Sequence, residues 1–385
     1  MKEAGLYIHI PFCRQKCFYC DFPSFAGKEE LFAEYTDALC RELEKGAAEL
    51  AGYGIKSVFV GGGTPTVLPM ELMERIMGMV FDCYEILPEA EITTEANPGT
   101  LDEAVCRRLK QMGFNRLSMG LQAWQDELLL RLGRIHDRAQ FLENLDNARR
   151  AGFDNINADL MFALPGQTLA QWEETLDAVI GLGLEHISAY SLIIEEGTPF
   201  YDWYEKGVYQ ETDEETDRAM YAMTQKKLTE GGYHQYEISN FAKEGKESRH
   251  NKIYWLDEEY HGFGMGAHSY WQGRRFHNPG TLEEYIRKAK RGEDLREEME
   301  KIPQEEEMSE FMFLGLRMTK GIEKERFLRR FGKTVEAVYG PAIVRLKAED
   351  LLEEAEGWLR LTQRGVDVSN HVFVEFLPEE GGSRT

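Results

Sequence analysis

The 385-residue sequence has no apolar run of the roughly eighteen residues that a membrane-spanning helix needs. It also lacks a secretory signal. Met1 leads almost at once into Leu6-Tyr7-Ile8-His9-Ile10, with no basic n-region, long apolar h-region or cleavage site. Both absences predict a cytoplasmic protein. Cysteine is scarce: six are too few for a disulfide framework in a chain this long. Basic residues are outnumbered, with 45 Lys and Arg against 68 Asp and Glu, a net charge of −23. Such a surface repels phosphate backbones, so nucleic acid is not an expected partner. Apolar residues are in good supply. At 42 % hydrophobic and 11 % aromatic, the chain has ample core and wholesale disorder is excluded.

A rhythm of short apolar runs and longer amphipathic stretches fills the first half. The runs are 6–10, 57–60, 91–95, 116–121, 155–161 and 186–194, and the stretches are 30–50, 70–81, 101–112, 138–151 and 171–182. Strand alternating with helix predicts βαβ units on a parallel sheet. Gly113, Gly152 and Gly183 stand where helices end and the next strand begins, as C-caps do. Polar or glycine-rich features follow the strands. They are a cysteine cluster, Gly61-Gly62-Gly63-Thr64-Pro65, Glu95-Ala96-Asn97-Pro98, Gly120-Leu121-Gln122 and, after Asp159, Leu164-Pro165-Gly166. Barrel-like folds carry their chemistry at these carboxyl ends. The fold class expected is therefore α/β, a partial (βα)6 TIM-type barrel with one site built from many loops.

Beyond about residue 200 the rhythm changes. The reading divides the chain into a barrel over 1–200, an extension rich in His, Gly and aromatics over 201–300, and a small C-terminal domain over 301–385. A helix is expected over 211–230 and a strand over 233–239. Residues 293–310 read as an acidic, solvated connector and helix start. Short helices followed by strands at 358–362 and 372–377 suggest a mainly helical, winged-helix-like unit. The tail 378–385 is expected to fray.

The sharpest signal is His9-Ile10-Pro11-Phe12-Cys13-Arg14-Gln15-Lys16-Cys17-Phe18-Tyr19-Cys20. Three thiols at spacings of four and three lie in one loop after a strand. A structural zinc site wants four ligands. An iron–sulfur cube on three thiolates leaves one iron open to a small molecule. Three core cysteines, or zinc completed by a histidine, are the alternatives. Cys40, Cys83 and Cys106 lie singly in helical patterns and read as core.

CxxxCxxC with an aromatic, Tyr19, before the last cysteine resembles the radical S-adenosylmethionine (SAM) superfamily. The resemblance extends over almost the whole chain through Tyr7-Ile-His-Ile-Pro-Phe-Cys, Gly61-Gly-Gly-Thr-Pro-Thr, Arg116-Leu-Ser-Met-Gly-Leu-Gln and Asp159-Leu-Met-Phe-Ala-Leu-Pro-Gly-Gln. These are similar to the branch holding oxygen-independent coproporphyrinogen III dehydrogenase and the radical SAM haem chaperones. The resemblance implies a partial barrel with a small C-terminal domain, and a [4Fe–4S] cluster on Cys13, Cys17 and Cys20. Its open iron binds SAM, which one electron cleaves to methionine and a 5′-deoxyadenosyl radical. Tyr7, Tyr19, Gly62, Gly63, Thr64, Glu95, Gln122, Arg134 and Asp159 match family positions beside the cluster or SAM. On their own the glycines also read as strand punctuation, Arg134 as a surface helix residue and Asp159 as a cap.

Two departures separate the chain from the dehydrogenase. That enzyme has a further cysteine two residues after the third cluster cysteine, where this chain has Phe22. It also has a long N-terminal extension, whereas twelve residues precede Cys13 here. Both point to the chaperone branch. Arg249-His250-Asn251-Lys252-Ile253-Tyr254-Trp255 contains HNxxYW, which that branch associates with haem, and a neutral imidazole can ligate haem iron. His250 also reads as a satisfied core histidine, with His261 and His268 as other ligands. The resemblance thus implies haem, haem-accepting proteins and an electron donor as partners, with peripheral membrane contact where the acceptor is membrane-bound. Oxidative decarboxylation of coproporphyrinogen III is the rival activity.

Overall fold

The computed structural model describes residues 1–378; the expected frayed tail lies mostly outside them. Six parallel strands follow the predicted rhythm: β1 (Lys2–Ile10), β2 (Tyr53–Gly62), β3 (Glu85–Ala96), β4 (Arg116–Gln122), β5 (Ile156–Phe162) and β6 (His186–Ser191). Strand β4 is buried at every position but its last, and β5 at every position but Asp159. Strands covered on both faces read as continuous apolar runs, which is why the sequence announced them. The connecting helices are α1 (Phe32–Gly46), α2 (Met70–Cys83), α3 (Glu103–Gln111), α4 (Arg138–Arg150) and α5 (Leu169–Gly181). Asp137 with Gln140, and Thr168 with Gln171, form capping boxes that start α4 and α5. Gly113, Gly152 and Gly183 take positive φ after their helices, as C-caps require.

The later chain completes the same sheet. After α6 (Glu214–Glu230), β7 (His234–Glu237) and β8 (Asn240–Ala242) pair antiparallel beside β6. Helix α7 (Arg249–Trp255) then leads to β9 (Tyr260–Phe263), which lies parallel to β1 on the opposite flank. The antiparallel strands β10 (His268–Trp271), β11 (Arg274–His277) and β12 (Glu297–Lys301) extend that flank, with α8 (Leu282–Arg291) between the last two. The order across all twelve is β12-β11-β10-β9-β1-β2-β3-β4-β5-β6-β8-β7. Part of the expected acidic connector is thus an edge strand. Its side chains are mostly exposed, so it has the composition of a solvated loop and is held by backbone pairing to β11.

A second apolar core gathers Met312, Phe327, Leu346 and Phe376. Over it lie α9 (Gln304–Gly315) and a three-stranded sheet, in which β13 (Ile322–Glu323) and β14 (Leu352–Ala355) flank β15 (Trp358–Leu361). The strand expected over 372–377 is not formed. A helix, Ser369–Val374, stands there instead and buries Val372 in this core. Arg330 joins the second core to the large sheet, donating to the Tyr270 hydroxyl of β10 at 2.6 Å and to Glu307 at 2.7 Å. Among the described residues, no helix is long and apolar enough to cross a membrane.

Candidate functional site

The thiol loop leaves the carboxyl end of β1 and is fixed by its backbone. Phe18 N–H donates to Leu132 O (3.0 Å), Phe200 N–H to Phe18 O (3.0 Å), and Cys20 N–H to Cys17 O (3.2 Å). The thiols are half-buried. Thr64 Oγ1 donates to the Cys13 sulfur at 3.6 Å and accepts from Asn97 Nδ2 at 2.7 Å. The Cys17 sulfur accepts from Arg134 Nη1 at 3.4 Å. Burial raises the Cys13 and Cys20 thiols, and each also feels the neighbouring sulfurs.

All three thiols open onto one cavity of about 360 Å³. Of the sequence candidates, Tyr19, Gly62, Gly63, Glu95, Gln122, Arg134 and Asp159 line it with them. Thr64 stands behind Cys13, and Tyr7 lies close enough to feel the charge of Glu95 without lining the space. Tyr7 hydroxyl donates to His9 Nδ1 (2.9 Å), because His9 Nε2 is committed as a donor to Pro23 O (2.9 Å). The glycines serve packing first. A Cβ on Gly62 would stand 2.4 Å from the His9 ring, and one on Gly63 2.5 Å from Phe12 O. Gln122 holds a φ of +69°, a strained value for a non-glycine residue at a strand end.

Asn97, Ser118, Met161 and Tyr190 also line the cavity and were not singled out as site residues by the sequence. Each is a single residue in or just after a strand with no spacing to mark it. Asn97, Ser118 and Met161 do lie inside motifs that announced their neighbours.

Arg134 Nη2 donates to Asn97 Oδ1 (2.6 Å) and Gly120 O (2.8 Å), while its buried Nε has no partner among the described residues. Asp159 accepts from Ser118 (3.0 Å) and Asn157 (2.8 Å), yet burial holds its carboxyl above the usual range. Burial, and then the charge of Asp159, pushes Glu95 from an ordinary 4.5 to about 7. Between those values the folded protein keeps a proton that the unfolded chain has released, so stability falls as pH rises. The fall is at most about 3 kcal/mol, since the cavity admits solvent. Urea unfolding of cluster-free protein from pH 5 to 8 should show this slope, and Glu95→Gln should flatten it. Equal slopes would clear Glu95 of the effect.

His250 lies outside the cavity lining. Helix α7 packs across β1 and β2, where His250 is 1 % exposed and stacks on Phe59 with ring centres 5.1 Å apart. Its Nδ1 meets Ser57 Oγ at 2.8 Å and its Nε2 meets Tyr254 hydroxyl at 2.8 Å. Burial lowers its pKa to about 3, so the ring is neutral. The Glu91 carboxylate anchors the helix start by accepting from Arg249 N–H and His250 N–H, both at 3.1 Å. His261 is buried and stacked on Phe263, whereas His268 is exposed.

Observations of the donor set favour a cluster. Among the described residues, no three His, Cys, Asp or Glu side chains converge closely enough to share one ion. A cubane takes one thiolate per iron, on separate corners, and so asks for sulfurs around a common space rather than a common point. Arg134 in the wall supplies a positive charge that suits an anionic group such as the SAM carboxylate.

Comparison with known proteins agrees. Residues 7–179 match the Radical SAM superfamily model, and residues 302–368 match the HemN C-terminal domain. A Bacillus subtilis protein named Heme chaperone HemW is 40 % identical over 98 % of this chain and 100 % of its own length. Its Escherichia coli namesake is 33 % identical over 98 % of this chain and 99 % of its own. The coproporphyrinogen III oxidase (HemN) structure from Escherichia coli, described as a radical SAM enzyme, superposes with a TM-score of 0.86. It covers 97 % of this chain and 90 % of its own at 22 % identity, which establishes a shared fold. By near-full-length identity the chain belongs to the radical SAM superfamily and, within it, to the family of proteins named Heme chaperone HemW.

Proposed function

We propose that this protein is a cytosolic haem carrier built on a radical SAM frame. It holds a [4Fe–4S] cluster on Cys13, Cys17 and Cys20, binds SAM in the adjoining cavity, and passes haem to haem proteins. The observation that carries this reading is the convergence of three thiols, Arg134 and two acids on one cavity. When bound, the cluster supplies the electron and the open iron on which SAM is activated. The chain's own residues position and tune. Thr64 and Arg134 donate to two of the thiolates, which spreads their charge and favours the reduced state. Glu95 and Asp159 offer acceptors to hydroxyl and amino groups.

A cavity of about 360 Å³ is at the small end of ligand pockets, so cluster and SAM occupy it and haem takes a separate site. His250 serves as its ligand once α7 gives up the hydrogen bonds to Ser57 and Tyr254; its neutral ring is the form that binds iron. An electron donor and a haem-accepting protein complete the system, with peripheral contact where the acceptor sits in a membrane.

The deciding experiment offers the anaerobic protein either hemin or coproporphyrinogen III with SAM and reductant. A stable stoichiometric Soret band without decarboxylated product is expected; repeated turnover to protoporphyrinogen IX would overturn the proposal. Tyr254→Phe removes one bond from His250 Nε2, about 1 kcal/mol, and should tighten hemin binding on the order of fivefold. His250→Ala should abolish it. Unchanged affinity in His250→Ala would move the ligand to another histidine.

A further inference from the structure

Helix α7 is held at its two ends by different parts of the chain. Its first turn belongs to the barrel, through the Glu91 carboxylate of β3 on Arg249 N–H and His250 N–H. Its last turn belongs to the C-terminal unit. There α10 (Lys324–Phe331) buries Phe327 and Phe331 in the second core, while Arg326 and Arg330, four positions apart, share another face. That face meets the end of α7. Arg326 Nη2 donates to Leu256 O. Arg330 Nη1 donates to Asp257 O at 3.0 Å and stands 2.9 Å from Asp257 Oδ2. Arg317, two residues past α9, lays its guanidinium over the Trp255 ring at 4.3 Å.

The last carbonyls of a helix have no partner inside it and carry the negative end of its dipole, so guanidinium groups are matched to this position. The clasp does not close on a packed interface, however. A cavity of about 210 Å³ lies between the end of α7 and the C-terminal unit, lined by Trp255, Leu256, Phe311, Ile322 and Trp358 among others. A close-packed interior leaves few voids of that size. It gives the last turn of α7 somewhere to go when the arginines let go.

The two anchors have different consequences for His250. It sits beside Glu91, at the fixed end, so release of the other end leaves it in place. Tyr254, whose hydroxyl meets His250 Nε2 at 2.8 Å, is one turn further on, next to Trp255, and is carried away with the released turn.

We propose that α10 is a latch on the haem site. Arg326 and Arg330 hold the last turn of α7 so that Tyr254 covers His250 Nε2, and release of that turn opens the nitrogen to iron. The two arginines are positioning residues that act through Tyr254. The gating rests on His250 being the haem ligand; the latch on α7 does not.

The test is hydrogen–deuterium exchange on the full chain, run beside a hemin titration. The amides of Leu256 and Glu258 donate to Lys252 O at 2.8 Å and Ile253 O at 2.9 Å. In Arg326→Ala they should exchange at least about tenfold faster, and hemin should bind about threefold more tightly. Arg326→Lys keeps a charged donor for Leu256 O and should stay near the parent in both. Arg329→Ala, at an exposed arginine 3.4 Å from Glu323, should match the parent. In a Tyr254→Phe background no hydroxyl is left to lift from His250, so adding Arg326→Ala should tighten hemin no further. Parent-like exchange in β15 shows that the C-terminal unit keeps its fold; if Arg326→Ala loosens it, Arg326→Gln, which keeps the aliphatic stem without the charge, takes its place. Parent-like exchange at Leu256 and Glu258 would overturn the latch. Faster exchange with unchanged hemin affinity would overturn the gating where the parent needs His250 to bind hemin. If His250→Ala binds hemin as the parent does, the haem reading falls, and exchange alone judges the latch.

Discussion

Cys17→Ala is expected to purify as a folded protein that has lost almost all visible cluster absorbance. With Cys17 gone, two thiolates remain for a cube that needs three, and a second iron loses its protein ligand. The fold survives because the sulfur does not hold the loop. Backbone bonds from Phe18 to Leu132 and from Phe200 to Phe18 do so, and the thiol's one donor is Arg134. Cluster-free wild type and variant should therefore unfold within about 1 kcal/mol of each other, as half-buried substitutions away from special features do. Cys106→Ala is the control. That thiol is buried in α3 and outside the cavity lining, so iron and sulfide content should stay at the wild-type level. Retention of a full cluster in Cys17→Ala would remove the residue from the ligand set.

That contrast between cysteines was readable in the sequence, and the reason is locality. Cys13, Cys17 and Cys20 signal through spacing within one loop, and Cys106 through its place in an amphipathic period. The parallel strands were readable for a similar reason: burial on both faces writes a mostly apolar run, and Gly113, Gly152 and Gly183 mark where three of the five intervening helices stop. Strands β9 to β12 wrote no such signal. Each is only four or five residues long; β9 to β11 mix histidine or arginine with aromatics, and β12 is mostly glutamate. They join the large sheet through β9, whose partner β1 lies some 255 residues earlier for Gly5 and Tyr260.

The same distance hid the state of His250. Its motif identified a family resemblance, but whether its nitrogens are free depends on Ser57, 193 positions away, and on Glu91, which holds the helix by its first turn. Arg134 illustrates an ambiguity that geometry resolved. A lone arginine near a helix reads as surface until Asn97, Gly120 and Cys17 are seen around its head group. Motifs local to one turn are legible, whereas the closure of six turns on a shared cavity is a property of the sheet.

That closure sets up the second large effect, Gly63→Ala. The second turn is pressed onto the thiol loop through backbone alone: Gly63 N–H donates to Ile10 O at 2.8 Å, and Thr64 N–H to Phe12 O at 2.7 Å. A Cβ on residue 63 would lie 2.5 Å from Phe12 O and 2.9 Å from Phe12 N and C. Those atoms belong to the chain itself and cannot swing aside as a side-chain tip would. The turns must part, which costs about 1–3 kcal/mol in overpacking and about 1 kcal/mol for each hydrogen bond lost. Phe12 adjoins Cys13, so the shift also displaces a ligand and withdraws Thr64 from its sulfur. The expected outcome is a lowered melting temperature together with reduced iron content, although every cysteine is present. Gly78→Ala provides the opposite sign. Gly78 is exposed in the middle of α2 with open space about it, and alanine there should stabilise by about 0.5–1 kcal/mol without touching the cluster. If Gly63→Ala melted with the wild type and loaded a full complement of iron, the tight seating of the glycine turn on the thiol loop could not be what places Cys13.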